Sequence, residues 1–142
     1  MIVDFYYLTA LPLERVLPSI CEKVLAQGAR MVVVAEAGLL ARIDEQLWTY
    51  ARESFLPHGR SDPESQPILL AETPEPANGA THVALADGEW REAALEFERA
   101  FYFFDPAHLE AARAAWRSLK DRPGAEARYW KQDERGKWVQ GP

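Results

Sequence analysis

Apolar residues arrive first as a run, Val3 to Leu8, β-branched and aromatic and of strand length. The period then changes. Leu13, Val16, Leu17, Ile20, Cys21, Val24 and Leu25 recur at i, i+3, i+4 and i+7, the stripe of an amphipathic helix. Gly28 stands where such a helix would end. Met31 to Ala35 is apolar at every position, as a central parallel strand covered on both faces requires. Leu40, Ile43 and Leu47 set a second helix behind it. This βαβα opening predicts a parallel sheet with right-handed crossovers.

Beyond Ser54 and Phe55 the segment PHGRSDPESQP reads as a turn-rich loop. Ile68 to Leu70 and His82 to Leu85 are short buried strands, separated by Pro, Gly and Asn. Helix-forming residues from Trp90 to Arg99 lead into a further strand at Phe101 to Phe104. Pro106 suits the first turn of a long helix running to about Asp121. After Gly124, residues 128–140 read as two short strands around a polar turn at Asp133 to Gly136. Residues 1–142 thus form one three-layer α/β domain.

Composition narrows the class. The chain has 142 residues, 48% hydrophobic, the size and content of a single compact domain. No apolar run approaches the ~20 residues that cross a bilayer, and Met1 leads straight into a strand without a basic signal region. A single cysteine excludes an internal disulfide framework, and Cys21 falls on the apolar helix stripe as a core filler. The expected setting is cytoplasmic, with no membrane partner. Net charge is −6, unevenly spread. Residues 1–110 hold 8 Lys/Arg and 18 Asp/Glu, a net of −10; residues 111–142 hold 8 and 4, a net of +4. A basic ending on an acidic body offers a local site to an anionic partner. The same residues also suit a solvated helix end and tail.

Catalytic motifs do not appear. A βαβ start invites a nucleotide, yet Thr9 to Leu13 contains no glycine, and neither GxGxxG nor GxxxxGK[ST] occurs. Glu36 after the second strand could hold a ribose, but without a phosphate loop it carries little. His58, His82 and His108 are scattered, so no metal site is expected. No nucleophile signature is visible. The sequence offers no positive case for an enzyme, and no cofactor is expected.

Two constellations stand out. On the helix from Pro106 to Asp121, Arg113, Arg117 and Lys120 form a basic stripe spanning about 60°. Trp116 lies beside it with Leu109, Ala112 and Leu119. A tryptophan bordered by arginines can hold an apolar anchor that carries carboxylates; it can equally be core beside solvated charges. The ending adds Arg122, Arg128, Tyr129, Trp130, Lys131, Lys137 and Trp138. Interleaved like this, such residues can stack the bases of single-stranded nucleic acid, complete a sheet edge, or bind an acidic peptide. The acidic body disfavours direct DNA binding. The second constellation, Trp48, Tyr50 and Phe55 near a helix–loop junction, is either an interface anchor or core closure.

At these residues a family resemblance emerges. Ile43 to Trp48, followed by Glu53 to His58, resembles the LDExLW…xSFxPH signature of chi subunits of the bacterial DNA polymerase III holoenzyme. FERAFYFFDP, then Ala112-Arg113 and Trp116-Arg117 before Gly124, is similar to that family's FERxxEIV…AR…(F/W/Y)(R/K)…G pattern. The ending at Tyr129-Trp130 and Gly136-Lys137-Trp138 looks like a variant found in many members.

The resemblance implies a Rossmann-like fold with a mostly parallel sheet and no nucleotide-binding loop. It implies a non-catalytic accessory subunit that links the clamp loader to the acidic C-terminal tail of single-stranded DNA-binding protein. At matching positions Arg113, Trp116 and Arg117 would carry the tail site, with Lys120, Arg128 and Lys131 as further cations. Trp48 and Phe55, with Pro57 beside them, would meet the psi subunit or an equivalent clamp-loader component. A helicase-like protein is an alternative partner at that surface. DNA contact would then be indirect; a direct single-stranded nucleic-acid binding module is the alternative.

Overall fold

A computed structural model describes residues 1–49 and 58–141. The chain opens with β1 (Ile2–Tyr7), α1 (Leu13–Ala26), β2 (Met31–Val34) and α2 (Ala37–Thr49), as the pattern predicts. Then come β3 (His58–Gly59), β4 (Ile68–Ala71), β5 (His82–Leu85) and β6 (Arg99–Phe104). The chain closes with α3 (Leu109–Lys120), β7 (Glu126–Gln132) and β8 (Trp138–Gln140). Among the described residues the strands form one sheet in the order β3-β4-β2-β5-β6-β1-β7-β8. Every neighbouring pair is parallel except the β7–β8 hairpin.

Alternation along the strands divides the core into two layers. Tyr6, Val33, Phe101 and Phe103 pack under the apolar stripes of α1 and α2, where Cys21 is wholly buried. Burial pushes the Cys21 thiol up to about 12, leaving it neutral and unreactive. Phe5, Val32, Tyr102 and Phe104 face the other way, against Ala112, Ala115 and Leu119 of α3. The result is the expected three-layer, Rossmann-like domain with a mostly parallel sheet.

Three local expectations change. The stretch from Trp90 to Arg99 makes only a 3₁₀ turn, Glu92–Glu96, before β6 begins. Pro106 opens a 3₁₀ turn, Pro106–His108, and α3 proper starts at Leu109. The turn-rich loop also contains the two-residue strand β3, too short to show any alternation in sequence. His58 is buried there because it pairs along β4 and its Nε2 lies 2.9 Å from Asp44 of α2.

Candidate functional site

The helix α3 has the sequence LEAARAAWRSLK. Its alanines bring the backbone close to the sheet, and Ala112, Ala115 and Leu119 are buried. One position round the helix, Trp116 is half-buried, and beyond it Arg113, Arg117 and Lys120 are exposed. The indole meets Phe5 edge to face at 5.2 Å. A cavity of about 330 Å³ opens here, walled by Phe5, Tyr7, Phe104, Leu109, Trp116 and Tyr129, with Arg113 also lining it. Trp116 is therefore neither sealed core nor a free surface ring; it forms one wall of an open apolar pocket.

The cations around this pocket are available. Arg113 Nη1 sits 2.9 Å from Glu110 Oε1, but both side chains are mostly exposed, 58% and 82%. Exposed pairs of this kind are worth only about 0.2–1 kcal/mol, so an incoming carboxylate can replace Glu110 at small cost. Arg117, Lys120 and Lys131 make no ion pair with a described residue. Alternation along β7 places Tyr129 and Lys131 on the α3 side, and Lys131 is exposed beside Tyr7 of β1.

Arg128 departs from this group. Three residues before Lys131 on a strand, it projects from the opposite face, where Asp4 is completely buried. Arg128 Nε donates to Asp4 Oδ1 at 2.8 Å and its Nη2 to Oδ2 at 3.1 Å. Arg99 Nε reaches Oδ2 at 3.0 Å, and Trp130 Nε1 donates to Oδ1 at 2.9 Å. Burial alone would raise the Asp4 pKa; the hydrogen bonds from Arg128, Trp130 and Arg99 outweigh it and hold the carboxyl below its ordinary range. Sequence reasoning missed this cluster, although a carboxylate inside the apolar run IVDFYY was its signal. Trp130 stacks beside Tyr6 at 6.3 Å, and Trp138 meets the Tyr6 ring edge-on at 4.9 Å. The ending is thus split between two faces of the sheet.

In the loop after β1, where a dinucleotide-binding domain offers backbone N–H groups to a phosphate, those donors are taken by the chain itself. The crevice beside the loop stays open as a cavity of about 530 Å³, lined by Thr9, Leu13, Asp87 and His108 among others. Gln132 Oε1 accepts the backbone N–H groups of Thr9, Ala10 and Leu11 at 3.2, 3.0 and 3.0 Å. Glu36 is likewise engaged, accepting N–H bonds from Gly38 and Leu39 at the start of α2. Gln132→Ala is expected to cost about 1 kcal/mol in urea denaturation. That is the low end of the ~1–3 kcal/mol for orphaned donors, because water reaches these part-buried groups. Unchanged stability would mean that water replaces Gln132 fully.

Trp48 lies near the end of α2, 57% exposed, with its ring 4.8 Å from that of His58 on β3. Phe55 and Pro57 lie outside the described residues. β3 is the first strand of the sheet and β7 the seventh. Six strand spacings of ~4.8 Å separate the Trp48 surface from the α3–β7 pocket by roughly 29 Å. Among the described residues no His, Cys, Asp and Glu group is arranged to hold a metal, and no helix is long and apolar enough to cross a membrane.

No curated protein matches the chain with significance. The sequence model of one protein family, described as DNA polymerase III chi subunit, HolC, matches residues 1–126, a span that holds Trp48, Arg113, Trp116 and Arg117 and ends at the first residue of β7.

Proposed function

This chain belongs to the DNA polymerase III chi subunit family, and we propose that it is a non-catalytic adaptor that grips the acidic C-terminal tail of single-stranded DNA-binding protein on α3. Membership makes it an accessory subunit of DNA polymerase III. The tail assignment rests on one observation: an open apolar pocket walled by Trp116 lies beside exposed cations in an otherwise acidic domain. The apolar end of the tail enters the pocket. Its carboxylates meet Arg113, Arg117 and Lys120 on the helix and Lys131 on β7. Leu109 adds apolar wall. Arg128, held by Asp4 on the far face, takes no part.

The second surface, Trp48 with Phe55 and Pro57, receives psi or an equivalent clamp-loader component, or a helicase-like protein in its place. Its distance from the tail pocket allows both partners to be held together, which an adaptor requires.

Each exposed charge pair contributes only about 0.2–1 kcal/mol, and a desolvated aromatic anchor about 2 kcal/mol or more. A micromolar complex, about −8 kcal/mol, is expected. Calorimetric titration with an acidic peptide ending in an apolar residue tests this. Raising ionic strength from about 0.1 M to about 1 M shrinks the Debye length from ~10 Å to ~3 Å, and affinity is expected to fall about tenfold without vanishing. A peptide stripped of its acidic residues that binds equally well would remove the role of the cations.

A further inference from the structure

On the sheet face opposite Trp116, a second cavity of about 280 Å³ lies between α1 and the aromatic row of β1, β7 and β8. Tyr6, Trp130 and Trp138 form its wall, and Lys23, Gln27 and Arg99 line it. We propose that this groove binds a base of single-stranded nucleic acid, with the adjoining phosphate on Lys23 and Arg99. The reading is independent of the tail site and takes from the proposed function only the family membership.

Charge favours an anion. Lys23 is exposed and makes no ion pair with a described residue. Arg99 and Arg128 share the single carboxylate of Asp4, and their side chains remain 29% and 27% exposed. The groove therefore carries a positive excess within a domain whose net charge is −6. Glu22, Glu98 and Glu126 adjoin these cations along the chain, but none of them lines the cavity. The hairpin that carries Trp138 has exposed Arg135 and Lys137 beside exposed Asp133 and Glu134, so it leaves this excess unchanged.

Shape selects the kind of anion. The volume falls just under the ~300–1,000 Å³ of pockets for drug-sized ligands, so it admits one planar group. Indole walls beside cations are the pairing by which strands are held without sequence preference. A subunit of a replicative polymerase works where such strands occur. Carboxylates alone would meet the cations and leave the two indoles uncovered, whereas a nucleotide supplies both an anion and a planar ring.

Fluorescein-labelled (dT)12 titrated into the full chain at low salt tests the assignment, read by anisotropy and by tryptophan quenching. Saturable binding is expected, weakened severalfold by Lys23→Glu, an exposed helix position that leaves folding intact. Trp138→Ala is expected to weaken it about fivefold or more, the scale of one lost base stack. Arg117→Glu is expected to leave oligonucleotide binding unchanged while weakening the acidic peptide. No saturable binding, or binding that Lys23→Glu leaves untouched, overturns the proposal. So does loss of peptide binding rather than oligonucleotide binding in Lys23→Glu. Titrating the acidic peptide against the unaltered chain judges the tail site separately.

Discussion

Trp116→Ala is expected to weaken the acidic-peptide complex about thirtyfold, the equivalent of about 2 kcal/mol for an aromatic anchor in a desolvated pocket. The indole supplies one wall of the 330 Å³ cavity and meets Phe5 edge to face, so its removal flattens the concave apolar surface beside Arg113. Truncation also removes an edge-to-face ring contact and lowers the stability of the domain. Arg117→Glu separates the two effects. Its side chain is exposed and makes no ion pair with a described residue, so melting should be unchanged while the reversed charge weakens peptide binding severalfold. Calorimetry on both variants, with thermal melts beside it, reads the outcome. Full-strength peptide binding by Trp116→Ala would remove the pocket from the proposed mechanism.

Asp4→Asn is expected to lower stability by about 3 kcal/mol, the low end of the ~3–5 kcal/mol for removing one partner of a buried ion pair. The low end applies because Arg99 and Arg128 still reach solvent, whereas Asp4 does not. An amide keeps one acceptor for Trp130 and Arg128 but turns an NH₂ toward donors on Arg99, and it leaves two guanidinium charges without their carboxylate. For a chain of this size the melting temperature should fall by roughly 10 °C.

The pH dependence has a definite sign. The folded-state pKa of Asp4 is depressed, so its contribution is fully present above the ordinary carboxyl value of about 3.9 and is lost as pH falls through the lower folded value. The stability gap between the native chain and Asp4→Asn should therefore be constant near neutrality and narrow in strong acid. A variant melting within a degree or two of the native chain would show that the cluster is dispensable.

Much of the fold is legible along the chain. MVVV is apolar throughout because β2 is covered on both faces, and the α1 stripe repeats because one side of that helix meets the sheet. The α3 pattern was equally readable: Trp116 lies on the boundary between its buried alanines and its exposed arginines. Arg128 stands close to Lys131 in sequence, which suggests a shared tail site. Yet three steps along a strand reverse the face and bring Arg128 to Asp4 instead, a parity visible once β7 is drawn. Gln132 carried no comparable signal, since its partners Thr9, Ala10 and Leu11 lie more than 120 residues earlier. β3 stayed hidden because two residues cannot display a period.

The amino-acid sequence by itself determined the main helices and strands, the buried stripe of each, the acidic body with its basic ending, and the family. Those properties follow from backbone periods of 3.6 and 2 and from residue chemistry, which act over a few neighbours. Strand order, the partnering of Asp4 with Arg99 and Arg128, the capping of the loop after β1 by Gln132, and the division of the basic ending between two faces were decided only in three dimensions. Each depends on which distant segments bury one another, and the free energy of that choice is spread over the whole packed domain.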